Sequence, residues 1–206
     1  MMKMLMALAL AAVSAAPLHA EVAPGQPAPD FTLNDQDGTA HKLSDSKGKY
    51  VVLEWYNSGC PFVRRHYDAN KIADLRNKSM QGVQKAYKDK GVVWYTISSS
   101  AAGKQGALTP KNAAKTWKKE GMASTLLLDS NRDVARAYGA KTTPHMFVID
   151  PKGNVIYMGA VDDNPSTDAA ELKGAHNYVA AALDASMSGL PVPKPVTTSY
   201  GCSVKY

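Results

Sequence analysis

Two side chains here are capable of covalent redox chemistry, the thiols of Cys60 and Cys202. Cys60 follows the apolar run Tyr50-Val-Val-Leu-Glu-Trp-Tyr56 and the turn residues Asn57-Ser-Gly59, and it precedes Pro61. Proline suits the first turn of a helix, where its missing N–H costs nothing. The stretch therefore reads as a buried strand, a tight turn and a helix with Cys60 at its N-terminus. Unpaired amides and the helix dipole favour an anion there, and the thiolate is the reactive form of cysteine. Such a sulfur would attack a disulfide or a peroxide. An inert buried thiol is the plainer alternative, and the position before Pro61 favours the redox reading. Arg64, one turn on, would either add to the stabilisation of the thiolate or face solvent.

The elements around this sulfur follow from patterning. Ala28–Leu33 and Ala40–Leu43 flank an Asp-Gly turn and read as a hairpin. Tyr50–Tyr56, Val92–Ile97 and Ser124–Leu128 read as buried strands. Helical spacing of Ile72, Leu75, Val83 and Tyr87 places helix between the first two, with a break near Asn70. Thr109 and Pro110 open a helix through Trp117, after a loop over 98–108. Asp129 caps a short helix ending at Gly139. His145–Ile149 and Val155–Met158 form a closing hairpin, and an amphipathic helix runs from near Thr167 to Gly189. The rest, punctuated by Pro191, Pro193 and Pro195, reads as an extended strap ending Gly201-Cys-Ser-Val-Lys-Tyr206. Strands alternating with helices imply a largely parallel sheet, made mixed by the closing hairpin.

The chain has 206 residues, a formal charge of +6 and a pI near 9.2. Its lysines are scattered over helix-like stretches as a solvated face, which argues against nucleic acid as a partner. Residues 1–20 have a basic start at Lys3, an apolar stretch and Leu18-His-Ala20, a secretory signal peptide cut after Ala20. The expected organisation is a signal peptide over 1–20, a single α/β domain over 21–188 and a Pro-rich tail over 189–206. The mature protein would be periplasmic or secreted, with no membrane anchor, and a cysteine pair in that setting suits a structural or catalytic disulfide.

Val52–Pro61 resembles the strand–turn–helix of the thioredoxin superfamily, and Thr142-Thr-Pro144-His-Met-Phe-Val-Ile-Asp150 resembles its cis-proline strand. Ala28–Leu33 and Val134–Gly139 are similar to the peroxiredoxin-like (AhpC/TSA) branch, and the Cys60-Pro-Phe-Val start with the Gly-Cys-Ser-Val-Lys-Tyr ending is similar to a group of exported redoxin-domain proteins. The resemblance spans about residues 22–188 and the tail. It implies a thioredoxin-like fold, a mixed central sheet flanked by helices with an N-terminal hairpin, and an antioxidant thiol oxidoreductase with Cys60 as nucleophile. No cofactor or metal is implied. Thr143, Pro144, Asn57 and Pro61 would line the substrate site, and the partner would be a thiol or disulfide protein or a small peroxide.

The departures from the family pattern matter as much. Val63 stands where a thioredoxin has its second cysteine, so Cys60 lacks a local partner; Cys202 would resolve its mixed disulfide, swung in by the strap within one chain or across a dimer, with a static staple or a free thiol as the alternative. Leu53 and Asn57 replace the proline and threonine of the peroxiredoxin motif, and Thr143-Pro144 stands where its arginine is usual, which predicts weak peroxide turnover. Glu54 occupies the position of the buried thioredoxin acid; the resemblance makes it a proton relay, and an ion pair with a lysine is the alternative. Two other functions stay open: a copper-handling module using Cys60 with His145 or Met146, and a redox-dead binding fold. His145 and His66 are more simply structural.

Overall fold

A computed structural model describes residues 22–206, so the expected signal peptide lies outside the described residues. In chain order the elements are β1 (Thr32–Asp35), β2 (Ala40–Lys42), β3 (Val51–Trp55), α1 (Pro61–Asp68), α2 (Met80–Lys88), β4 (Val93–Ser98), α3 (Pro110–Glu120), β5 (Thr125–Leu128), α4 (Asp133–Ala137), β6 (Thr142–Thr143), β7 (His145–Ile149), β8 (Val155–Gly159), α5 (Tyr178–Met187) and β9 (Cys202–Ser203).

The described residues form a seven-stranded sheet in the order β2-β1-β5-β4-β3-β7-β8. Every residue of β3 is buried, and its apolar run, interrupted only by Glu54, suits a strand with neighbours on both sides. Among the seven strands, parallel pairing is confined to β3–β4 and β4–β5. The N-terminal hairpin joins β5 antiparallel, and the closing hairpin joins β3 antiparallel. The sheet is therefore mixed and less parallel than the strand–helix alternation suggests.

Alternation along β3 divides the core into two layers. Val52 and Tyr56 pack with Tyr67, Val83, Tyr87, Val179 and Leu183, under α1, α2 and α5. Val51, Leu53 and Trp55 pack on the opposite side with Phe31, Val134, Ala135 and Tyr138. Burying side chains of this size on both faces contributes roughly 1.5–3 kcal/mol each and fixes β3, hence the turn at its end.

Two expectations need correcting. The last helix does not begin near Thr167: Ala169–Lys173 is a separate 3-10 turn, and α5 begins at Tyr178. Gly174 weakens helix between them, and Asn177 caps α5 by accepting from the Ala180 amide at 2.9 Å. The tail is not a free strap. Its residues 195–197 run along the outer edge of β8, where the Met158 amide donates to the Pro195 carbonyl at 3.0 Å and the Thr197 amide donates to the Met158 carbonyl at 3.1 Å. It then ends in β9, antiparallel to β6, with Thr143 opposite Cys202.

Candidate active site

Cys60 is the N-cap of α1, with Pro61 as the first helical residue, as the sequence predicts. Pro61 lies exposed on the surface beside it. Cys60 itself is fully buried, and its thiol donates to the Thr143 carbonyl at 3.0 Å. The Thr143–Pro144 bond is cis, and both residues are buried. Strand β3 and its turn place the sulfur; β6 and Pro144 form the wall it faces.

The same wall carries the tail. Cys202 lies opposite Thr143, packs against the core layer that holds Cys60, and both cysteines are free thiols. Gly201 makes the approach possible, because a Cβ there would stand 2.1 Å from the Thr143 carbonyl oxygen and its φ is 132°. Cys202 is thus already docked at the site, with β9 paired to β6 of the same chain.

The two thiols differ in acidity. Burial opposes ionisation of Cys60, but hydrogen bonds from the Cys202 thiol, the Val63 and Cys202 amides and the Thr143 side chain outweigh it and hold its pKa below that of an ordinary cysteine. Cys202 is pushed the other way, to about 11, by burial and by its place beside the Cys60 sulfur. The more acidic thiol is the one suited to attack, while its less acidic neighbour waits. Arg64 takes no part, since its guanidinium pairs with Asp68 and, at 2.7 Å, with Glu120.

The other expected site residues are placed as follows. Asn57 is buried, but its carboxamide is committed: Nδ2 donates to the Gln105 carbonyl at 3.0 Å, and Oδ1 accepts from the Gly59 amide at 2.8 Å. It shapes the turn and holds the loop over 101–108 against it. Glu54 is buried on the α1/α2 side and accepts from Tyr67 Oη, Gln84 Nε2, Trp94 Nε1 and Thr96 Oγ1 at 2.8, 3.0, 2.9 and 3.1 Å. Its partners are neutral, so the alternative, a lysine ion pair, is not formed. Burial raises its pKa, and these four donors pull it back.

His145 and Cys60 are not brought together. His145 sits opposite Trp55 in the register and packs its ring 4.7 Å from Phe147, in the layer on the far side of the sheet. Period-two alternation sends it away from the sulfur, while Met146 shares the layer of Cys60. Among the described residues no group of three or more His, Cys, Asp or Glu is arranged to hold a metal ion.

Sequence reasoning missed a buried charged group beneath the tail. Arg65 pairs with Asp162 at 3.2 Å, with side chains 0% and 1% exposed, and Tyr200 reaches into the pair. The available signal was an arginine at the centre of an otherwise core-facing helical turn, between Val63 and Tyr67.

A thiol at the head of a helix, facing a cis-proline strand on a mixed sheet, defines a thioredoxin-like redox protein. The AhpC/TSA family model matches residues 24–158, and the chain belongs to that family. Over 136 residues it is 32% identical to the thiol-disulfide oxidoreductase ResA of Geobacillus thermodenitrificans, covering 65% of this chain and 67% of that one. The crystal structure of an uncharacterized conserved protein from Geobacillus kaustophilus superposes with a TM-score of 0.74 at 30% identity, covering 91% of this chain and 94% of that one. A putative thiol:disulfide interchange protein DsbE from Chlorobium tepidum gives 0.57 at 26% identity, over 79% and 99%. The chain thus stands among thiol-disulfide oxidoreductases, as the family resemblance implied.

Proposed function

We propose that this protein exchanges disulfides with a thiol- or disulfide-bearing partner protein, with Cys60 as nucleophile and Cys202 as the resolving thiol. The observation that carries the reading is the pairing of β9 with β6, which sets Cys202 opposite the residue whose carbonyl receives the Cys60 thiol. The Cys60 thiolate attacks a partner disulfide, one sulfur–sulfur bond forms as another breaks, and a partner thiolate leaves. Cys202, deprotonated in its turn, attacks the Cys60 sulfur and expels the second partner thiolate. The partner ends reduced and the protein ends with a Cys60–Cys202 disulfide, which an external dithiol must reduce. The tripartite start of residues 1–20 supports an exported protein, where such exchange is in demand.

Disulfide trapping tests this. Oxidised glutathione added to the wild-type protein gives an intramolecular Cys60–Cys202 disulfide in intact-mass spectra, and Cys202→Ser accumulates a glutathione adduct on Cys60. Free thiols in the wild type at every glutathione ratio would sink the reading.

A further inference from the structure

The group around Tyr200 has no part in the chemistry just described. Its hydroxyl donates to Asp162 Oδ1 at 2.5 Å, accepts from Arg65 Nη1 at 3.3 Å, and lies 3.4 Å from His66 Nε2. Its ring packs 5.8 Å from that of Phe62. A buried arginine–aspartate pair is tolerated only when its remaining donors and acceptors are satisfied. Here Arg65 Nη2 is buried with no partner, so the pair is already one hydrogen bond short with the tail in place. Withdrawing Tyr200 removes a donor from Asp162 and an acceptor from Arg65 as well. The docked tail thus adds a donor and an acceptor to a charged socket two residues from Cys202.

The tail also covers what a partner needs. Cys60 is fully buried, and β9 occupies the backbone edge of β6 beside it. An external cysteine-bearing segment and β9 compete for one edge.

We propose that Tyr200 is a positioning residue for both thiols: its hydroxyl, seated among Asp162, Arg65 and His66, holds β9 on β6, and an external segment reaches Cys60 only when Tyr200 leaves this socket. The inference rests on the reading of Cys60 as nucleophile. Departure is local, because Thr197 stays bonded through Oγ1 to the Tyr157 hydroxyl at 2.6 Å and the Ala160 amide at 2.9 Å. The five residues after Thr197, ending at Cys202, reach at most about 18 Å. After the mixed disulfide forms, the return of Tyr200 brings Cys202 back to the Cys60 sulfur. The Cys60–partner bond breaks, the Cys60–Cys202 bond forms, and the partner leaves as thiolate while its strand position is retaken.

Tyr200→Phe keeps the ring on Phe62 and removes only the hydroxyl. In the full-length reduced protein, the alkylation rate of Cys60 by a bulky maleimide, assigned by peptide mass, should rise about tenfold, as expected for one charge-assisted hydrogen bond. Amide exchange at Val204 and Ala101, which donate to Lys141 and Lys205 carbonyls, should quicken while that of Tyr56 in the core does not. Gly201→Ala, which clashes with Thr143 instead of touching the socket, should raise the same rate by another route. Cys60 rates within twofold of wild type in both variants, or core and tail amides quickening together, would overturn the proposal. Faster tail exchange with Cys60 inert throughout would instead overturn Cys60 as nucleophile and leave the hold of Tyr200 on β9 standing.

Discussion

At the scale of single residues, the acidity of Cys60 is set by the groups that touch it, the Cys202 thiol and the Val63 amide of its own helix foremost. The Cys202 thiol is the first of the groups that lower its pKa against burial. Cys202→Ala should therefore move the Cys60 pKa upward, and Cys202→Ser, which keeps a hydroxyl donor, should move it less. Alkylation rates against pH report both, and coincident profiles for wild type and Cys202→Ala would remove Cys202 from this role. A second expectation concerns peroxide. The carboxamide of Asn57 is spent on Gln105 and Gly59, leaving no side-chain donor at the position where peroxiredoxins place a hydroxyl. Cys60 should consume hydrogen peroxide more slowly than it exchanges disulfides, measured on one preparation; fast Cys60-dependent peroxide turnover would reverse the ranking. The place of Cys60 and Pro61 at a helix head was legible in the sequence, because strand, turn and first-turn proline are local signals; the Thr143–Pro144 wall was legible only through the family resemblance. The donors around Glu54 and the socket under Tyr200 were not legible, since both join residues far apart in the chain, Arg65 with Asp162 and Tyr200 among them.

At the scale of elements, hydrophobic runs gave the central strands closely, whereas short pieces eluded the pattern. Strand β9 has only two residues and β6 only two, too few for periodicity to register. The tail was read as a strap from its prolines, yet Pro195 is the residue whose carbonyl bonds β8. In α5 the apolar spacing extended the expected helix through the turn at 169–173, and the cap at Asn177 shows where it truly starts. Asn177→Ala should cost about 1 kcal/mol of stability, readable as a shift in urea midpoint with unchanged slope. No change would mean that α5 is held by packing of Val179 and Leu183 alone.

At the scale of the whole molecule, buried histidines make the fold acid-sensitive. His66 and His145 both have pKa values lowered to about 4, His66 by burial against the attraction of Asp162, His145 by burial and by Lys141. Between the unfolded value near 6.5 and about 4, the unfolded chain binds protons that the native state refuses, so stability falls as pH falls. Each histidine contributes a slope of about 1.4 kcal/mol per pH unit there. Glu54 runs the other way: its raised folded pKa makes the native state take up a proton first on acidification, stabilising it over that range. Urea midpoints should drop between pH 6.5 and 4.5, and Glu54→Gln, by removing the opposing proton, should steepen the drop. A flat profile would show that neither histidine stays neutral on folding. The α/β class and the mixed sheet followed from the order of strand and helix patterns. The balance of parallel to antiparallel pairing did not, because which edge a hairpin joins is decided by packing across the whole sheet.

The tail's run along β8 bears on solubility. The outer strand of a sheet offers unpaired amides and carbonyls on which another molecule's strand can grow. In this protein the Met158 amide and carbonyl are both taken by residues 195 and 197, and Thr197 Oγ1 is within 2.6 Å of the Tyr157 hydroxyl. A protein that opened its tail from Pro191 onward with every turnover would bare that edge each time and invite fibrous self-association. Fastening at Thr197, with release only beyond it, confines the opening to the redox end. The two halves of the tail then answer to different pressures: the distal half must come and go, and the proximal half must stay, as a permanent guard against aggregation.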